Sequence, residues 1–145
     1  MGDFSNGNSL QQLKDLKIEN VLNLSTKKID YPKEINQLHL FKDYNELHIE
    51  ESMKFIQKSK GRILVFCDDG VSKSSSIVCA YLMLDLKEKG SKYSPIVVVT
   101  SVERCRPMVK IEKEHYSKLF EFEKELSGEE KKEPFEESIE LISID

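Results

Sequence analysis

Leu10, Leu13 and Leu16 recur every three positions behind Ser9, which predicts a short amphipathic helix over Ser9 to Lys17 with a serine at its N-cap. Ile18, Val21, Leu22 and Leu24 then form an apolar run that ends in Ser25 and Thr26, and Leu38, Leu40 and Phe41 form another after Pro32. Both runs predict short, buried strands. Between His48 and Lys60, Ile49, Met53 and Ile56 return to helical spacing, and Gly61 supplies the stop. Arg62-Ile63-Leu64-Val65-Phe66 is almost continuously apolar, as in a strand covered on both faces, so helices are expected on each side of the sheet.

Ser74 to Lys89 carries Ile77, Val78, Tyr81, Leu82 and Leu84 at helical steps and ends at Gly90. Ser94-Pro95 has the form of a cap with a first-turn proline, yet Ile96 to Val99 are four β-branched residues, so propensity leaves helix and strand both open there. Ile111 to Leu126, with His115, Leu119, Phe122 and Leu126 on one face, is a further amphipathic helix. Ser127-Gly128 is expected to break it. The order of elements gives an α/β fold with a central mixed, mostly parallel sheet flanked by helices, over residues 1–126. An acidic tail containing hydrophobic residues follows over 127–145.

Composition narrows the function classes. At 145 residues and 39% hydrophobic, the chain has the size of one domain. A formal charge of −4 and a pI near 5.5 offer no basic surface for nucleic acid or anionic membrane, and no apolar run approaches the roughly 20 residues of a membrane span. Met1 to Leu10 lacks an apolar signal core. Cys67, Cys79 and Cys105 are odd in number and unpaired in spacing, and His39, His48 and His115 share no ligand pattern, so neither disulfides nor a metal is expected. A cytoplasmic protein without a cofactor is the expectation, with Cys79 and Cys105 as core thiols and the three histidines on the surface or in packing.

Chemistry concentrates where the buried strand ends: Cys67-Asp68-Asp69-Gly70-Val71-Ser72-Lys73-Ser74 turns over a glycine and enters a helix. Such a loop aims successive backbone N–H groups at one point, and the helix dipole adds partial positive charge there. That concavity suits a phosphate oxyanion, and a thiol in it has its thiolate stabilised.

This stretch resembles the phosphate loop of the dual-specificity branch of the protein tyrosine phosphatases, H-C-x-x-G-x-S-R-S, through Cys67, Gly70, Ser72 and Ser74. The likeness extends through Leu13 to Leu24, Ala80-Tyr81-Leu82-Met83, and Arg106-Pro107 to Glu123, covering nearly all of residues 9–126. It implies that Ser94 to Cys105 is helical, that Cys67 stands at the nucleophile, and that residues 68–74 line the phosphate. Asp43, after the strand ending at Phe41, stands where the family's general acid lies, on a loop shorter than usual. Because the sequence begins so close to the family's first helix, the resemblance leads one to expect a further strand upstream of it.

Departures cluster around the same pocket. Lys73 replaces the family's arginine, and an ammonium is a point charge that cannot make a planar two-toothed contact with phosphate. Phe66 replaces the histidine before the cysteine, Asp68 and Asp69 place two carboxylates where a dianion should sit, and Lys110-Ile111-Glu112 replaces a supporting Pro-Asn. The pattern is similar to the serine/threonine/tyrosine-interacting-like pseudophosphatases. That likeness implies a catalytically impaired protein that binds a phosphoprotein or a signalling partner, the alternative being a slow phosphatase working through phosphocysteine. The tail, with Ile139, Leu141, Ile142 and Ile144 among acids, reads either as a strand added to a sheet edge of this domain or of a partner, or as a disordered acidic segment.

Overall fold

The computed structural model describes residues 1–130, with side chains to residue 128. Nine elements follow in order: α1 (Phe4–Gly7), α2 (Leu10–Asp15), β1 (Ile18–Asn23), β2 (Asn36–His39), α3 (Ile49–Lys58), β3 (Arg62–Phe66), α4 (Lys73–Glu88), α5 (Pro95–Cys105) and α6 (Lys113–Glu130). The strands form one sheet in the order β2-β1-β3, parallel at both pairings, with Val21 opposite Gln37 on one side and Leu64 on the other. The pattern predicts a mixed, mostly parallel sheet, and the three described strands are parallel throughout. The crossover chain and the helices account for this, since parallel neighbours need long connections.

Alternation along the central strands divides the core in two. Leu22, Leu24 and Val65 face α3 to α6, where Ile77, Met83, Val98 and Leu119 complete the larger cluster. Val21, Leu64 and Phe66 face the other way and meet Leu13 of α2. The segment between β1 and β2 crosses that second face, packing Ile29, Tyr31 and Ile35 on it. The continuous apolar run of β3 thus reflects a strand buried on both sides.

Several boundaries differ from the pattern. β2 lies two residues earlier than Leu38, Leu40 and Phe41 suggest, because pairing with Asn20 to Asn23 sets its register and leaves Leu40 beyond the last paired residue. α3 stops at a Ser59 cap, and Gly61, at φ 87°, makes the turn into β3. α5 is helical as the family resemblance implies, with the Ser94 hydroxyl accepting from the Val97 N–H and Pro95 in its first turn. α6 runs through Ser127 and Gly128 to Glu130 rather than breaking there: one helical glycine costs about 1 kcal/mol against alanine, too little to end a helix tied to the core by Leu119 and Leu126. Cys105 is exposed, not a core thiol, because it occupies the last turn of α5. The tail's strand reading falls at residues 139–144, outside the described residues.

Candidate functional site

β3 delivers Cys67 to the N-terminal end of α4, and the intervening loop closes tightly. Gly70 adopts φ 71°, and a β-carbon there would lie 3.0 Å from the Gly2 carbonyl carbon and 3.1 Å from the Asp3 nitrogen. Glycine is therefore required twice over, by conformation and by the backbone that crosses beneath it. That backbone is the N-terminal segment. The Gly2 N–H donates to the Val65 carbonyl at 2.9 Å, and the Gly2 carbonyl accepts from the Cys67 N–H at 3.3 Å, adding one parallel rung beside β3.

The Cys67 sulfur is buried and accepts the Ser74 N–H at 3.3 Å; its thiol lies 3.2 Å from Ser74 Oγ, which in turn donates to the Gly2 carbonyl at 3.4 Å. The N–H that holds the sulfur belongs to the first turn of the sixteen-residue α4, at the positive end of its dipole. The two aspartates part company. Asp68 Oδ1 accepts the N–H and hydroxyl of Thr26, both at 3.2 Å, and so turns toward the end of β1. Asp69 Oδ1 accepts the Val71 N–H at 3.0 Å and lies 3.8 Å from the Cys67 sulfur. Only one of the pair stands beside the thiol.

Lys73 is 2% exposed, an uncommon state for lysine. Its ammonium donates to the Asp43 backbone carbonyl at 2.9 Å and lies 4.2 Å from the centre of the Phe41 ring. Burial holds its pKa below the ordinary lysine value, opposed by the charges of Asp43, Cys67, Asp68 and Glu46. Asp43 meets Lys73 through its carbonyl, while its carboxylate accepts the N–H groups of Asn45 and Glu46 at 3.0 Å each and ties up its own turn. Cys67, Asp69, Gly70, Val71, Ser72 and Ser74 are brought together in the loop; Asp68 turns away, and the Asp43 carboxylate is engaged locally.

Sequence reasoning missed the clasp behind the loop. His115, fully buried on α6, places Nδ1 2.6 Å from Ser72 Oγ and Nε2 2.9 Å from the Tyr44 carbonyl. A carbonyl only accepts, so Nε2 carries the proton and Nδ1 accepts from the Ser72 hydroxyl. Ser72 Oγ also accepts the Glu112 N–H at 2.8 Å, and Lys110 N–H donates to the Val71 carbonyl at 3.0 Å. The segment Lys110-Ile111-Glu112 thus supports the phosphate loop with backbone donors where the family uses Pro-Asn. Tyr44 closes the ring: its hydroxyl donates to Glu112 Oε2 at 2.9 Å, and its phenol pKa is pushed up by burial first, then by Glu112, Asp69 and Cys67. The available signal was a histidine on the apolar face of α6, where only a hydrogen-bonded polar group is tolerated. Phe66 is not part of the cradle. It points to the second face of the sheet, edge-on to Phe4 with ring centroids 6.3 Å apart. Among the described residues no group of three or more His, Cys, Asp or Glu could hold a metal, and no helix is long and apolar enough to cross a membrane.

Comparison with known proteins agrees with this geometry. The chain is 31% identical to the protein-tyrosine-phosphatase IBR5 of Arabidopsis thaliana over 133 residues, covering 90% of this chain and 50% of that protein. It is 34% identical over 109 residues to a probable rhodanese domain-containing dual specificity protein phosphatase of Dictyostelium discoideum, covering 65% of this chain and 21% of that protein. The chain therefore spans half or less of the curated relatives it matches. Among solved structures, DUSP15 superposes with a TM-score of 0.71 at 25% identity, over 84% of this chain and 80% of that one. The human tyrosine phosphatase-like serine/threonine/tyrosine-interacting protein shares the fold, with a TM-score of 0.72 at 22% identity over 87% of this chain and 91% of that one. Residues 1–125 match the family profile described as the dual specificity phosphatase catalytic domain, and with the loop of Cys67 to Ser74 at the head of α4 they make this chain a member of the dual-specificity phosphatase family.

Proposed function

We propose that this chain is a catalytically impaired dual-specificity phosphatase-like protein that binds a phosphoprotein or another signalling partner in the cytoplasm. The observation that carries the reading is Lys73: at the position of the family's phosphate-clamping arginine stands a buried ammonium engaged with the Asp43 carbonyl and the Phe41 ring. A clamp acts most when charge spreads over the equatorial oxygens of the transition state, so losing its planar fork lowers turnover more than ground-state binding. Asp69 adds a carboxylate beside the thiol, and Oδ1 of Asp43 is held by two N–H groups of its own turn, which argues against its reaching a leaving oxygen. Two of the loop's backbone N–H groups are already engaged within it, that of Val71 by Asp69 and that of Ser74 by the Cys67 sulfur.

One observation favours a second reading. Cys67 and Ser74 keep the contact a phosphocysteine mechanism needs, which leaves a slow protein tyrosine or serine/threonine phosphatase as the alternative. An aryl-phosphate assay on wild type, Cys67→Ser and Lys73→Arg separates the two. The impaired reading expects wild type near background and Lys73→Arg raised by ~10-fold or more, as regaining a bidentate charge-assisted contact would give. Substantial wild-type turnover abolished by Cys67→Ser would establish the slow phosphatase instead.

A further inference from the structure

α3 and α6 both pack on α4, and the gap between them is a groove of about 700 Å³ whose lining includes no residue of the Cys67–Ser74 loop. Its two walls are regular helix faces: Glu50, Met53, Lys54 and Gln57 on α3, and Lys118, Glu121, Phe122 and Glu125 on α6, at three- and four-residue steps. Leu47, Ile49, Met53, Leu84, Phe122 and Leu126 give it apolar lining. The volume lies in the range of roughly 300–1,000 Å³ typical of ligand clefts.

The charged lining is predominantly acidic. Glu46, Glu50, Glu51, Glu121 and Glu125 face two cations, Lys54 and Lys118, and Lys54 is already paired with Glu50 at 3.4 Å. His48, also in the lining, adopts φ 54° and ψ 47° at the start of α3, a left-handed conformation rare outside glycine. Its Nε2 is buried without a hydrogen-bond partner.

We propose that this groove docks a basic helical segment of a partner protein, one that presents two or three large apolar side chains to the floor and Lys or Arg to the glutamate rim. Charge decides between occupants. The chain's own residues 131–145 contain five acids against two lysines, and a second copy carries a net charge of −4, so the rim repels both. The inference refines the partner-binding reading above but does not depend on the phosphate loop.

The probe is a short fluorescein-labelled helical peptide of leucine, lysine and arginine with leucines on one face, titrated into the full chain at low salt and followed by anisotropy. Saturable binding is expected, weakened ~10-fold or more in the variant combining Glu50→Lys, Glu51→Lys, Glu121→Lys and Glu125→Lys, and by salt. It should be unchanged in Cys67→Ser, with slowed amide exchange in α3 and α6. Four outcomes would overturn the proposal: no saturable binding, equal affinity for a peptide with serines in place of leucines, equal affinity in the reversed-rim variant, or groove protection by self-association or by residues 131–145. Substantial aryl-phosphate turnover would sink the impaired-enzyme reading and leave the groove result standing, so the two failures are distinguishable.

Discussion

At the scale of single residues, the molecule turns on a few polar side chains forced into dry positions. His115 shows how much one can hold: its two ring nitrogens bridge Ser72 of the phosphate loop and Tyr44 of the loop after β2. In His115→Phe the Tyr44 carbonyl and the Ser72 hydroxyl each lose a buried partner, at about 1–3 kcal/mol for an unsatisfied group. Urea denaturation should show a loss of that order, and an unchanged midpoint would mean that the clasp contributes nothing. This is also the scale at which the sequence was least readable. That Cys67, Gly70 and Ser74 share a tight loop at the head of a helix could be read from the sequence. That Lys73 turns toward Phe41, or that Asp68 turns to Thr26, depends on residues brought in by other elements, and no local pattern encodes it.

At the scale of elements, α4 is where local and global preferences agree best, with a buried apolar stripe, a preceding glycine turn and Gly90 after its end. The pattern marks its start to within one residue for that reason. β2 and α6 were misplaced because pairing overrode apolar spacing in one and packing overrode a glycine in the other. α1 was missed entirely. Its four residues carry almost no periodicity, and it is held by an Asp3 and Asn6 capping box and by Phe4 on Phe66. Two glycines give opposite forecasts. A β-carbon at Gly7 would run into the Phe66 ring, so Gly7→Ala should destabilise by about 1–3 kcal/mol through overpacking. Gly128 lies in α6 with open space around it, so Gly128→Ala should stabilise by up to ~1 kcal/mol. Thermal melts of the two variants should shift in opposite directions; a shared sign would contradict the packing account.

For the molecule as a whole, pH exposes how the N-terminal segment is attached. Tyr31 donates its hydroxyl to the Gly7 carbonyl at 2.7 Å, and burial pushes its pKa up to about 12. A phenol that holds its proton more tightly when folded stabilises fully below its unfolded pKa of roughly 10, and that contribution is lost as pH rises through about 12. Tyr44 acts in the same sense. Lys73 acts in the other. Its lowered pKa means that the unfolded chain binds the extra proton, so its penalty fades as pH climbs toward the ordinary lysine value. Stability should therefore fall steeply only above pH ~10, and Tyr31→Phe should flatten part of that fall. An identical alkaline profile in the variant would exclude the Tyr31 phenol as its cause.

The ties on Ser72 also set an order of assembly. Its partners Glu112 and His115 lie 40 and 43 residues further along the chain. During synthesis, Cys67 and the start of α4 leave the ribosome well before anything that can secure the loop behind them. The cost of closing so long a span grows only slowly with its length, but contacts this distant in sequence form late. The loop is thus secured only once α6 has been made. Until then, its cysteine belongs to a chain with a strand and a helix in place but no fixed pocket between them.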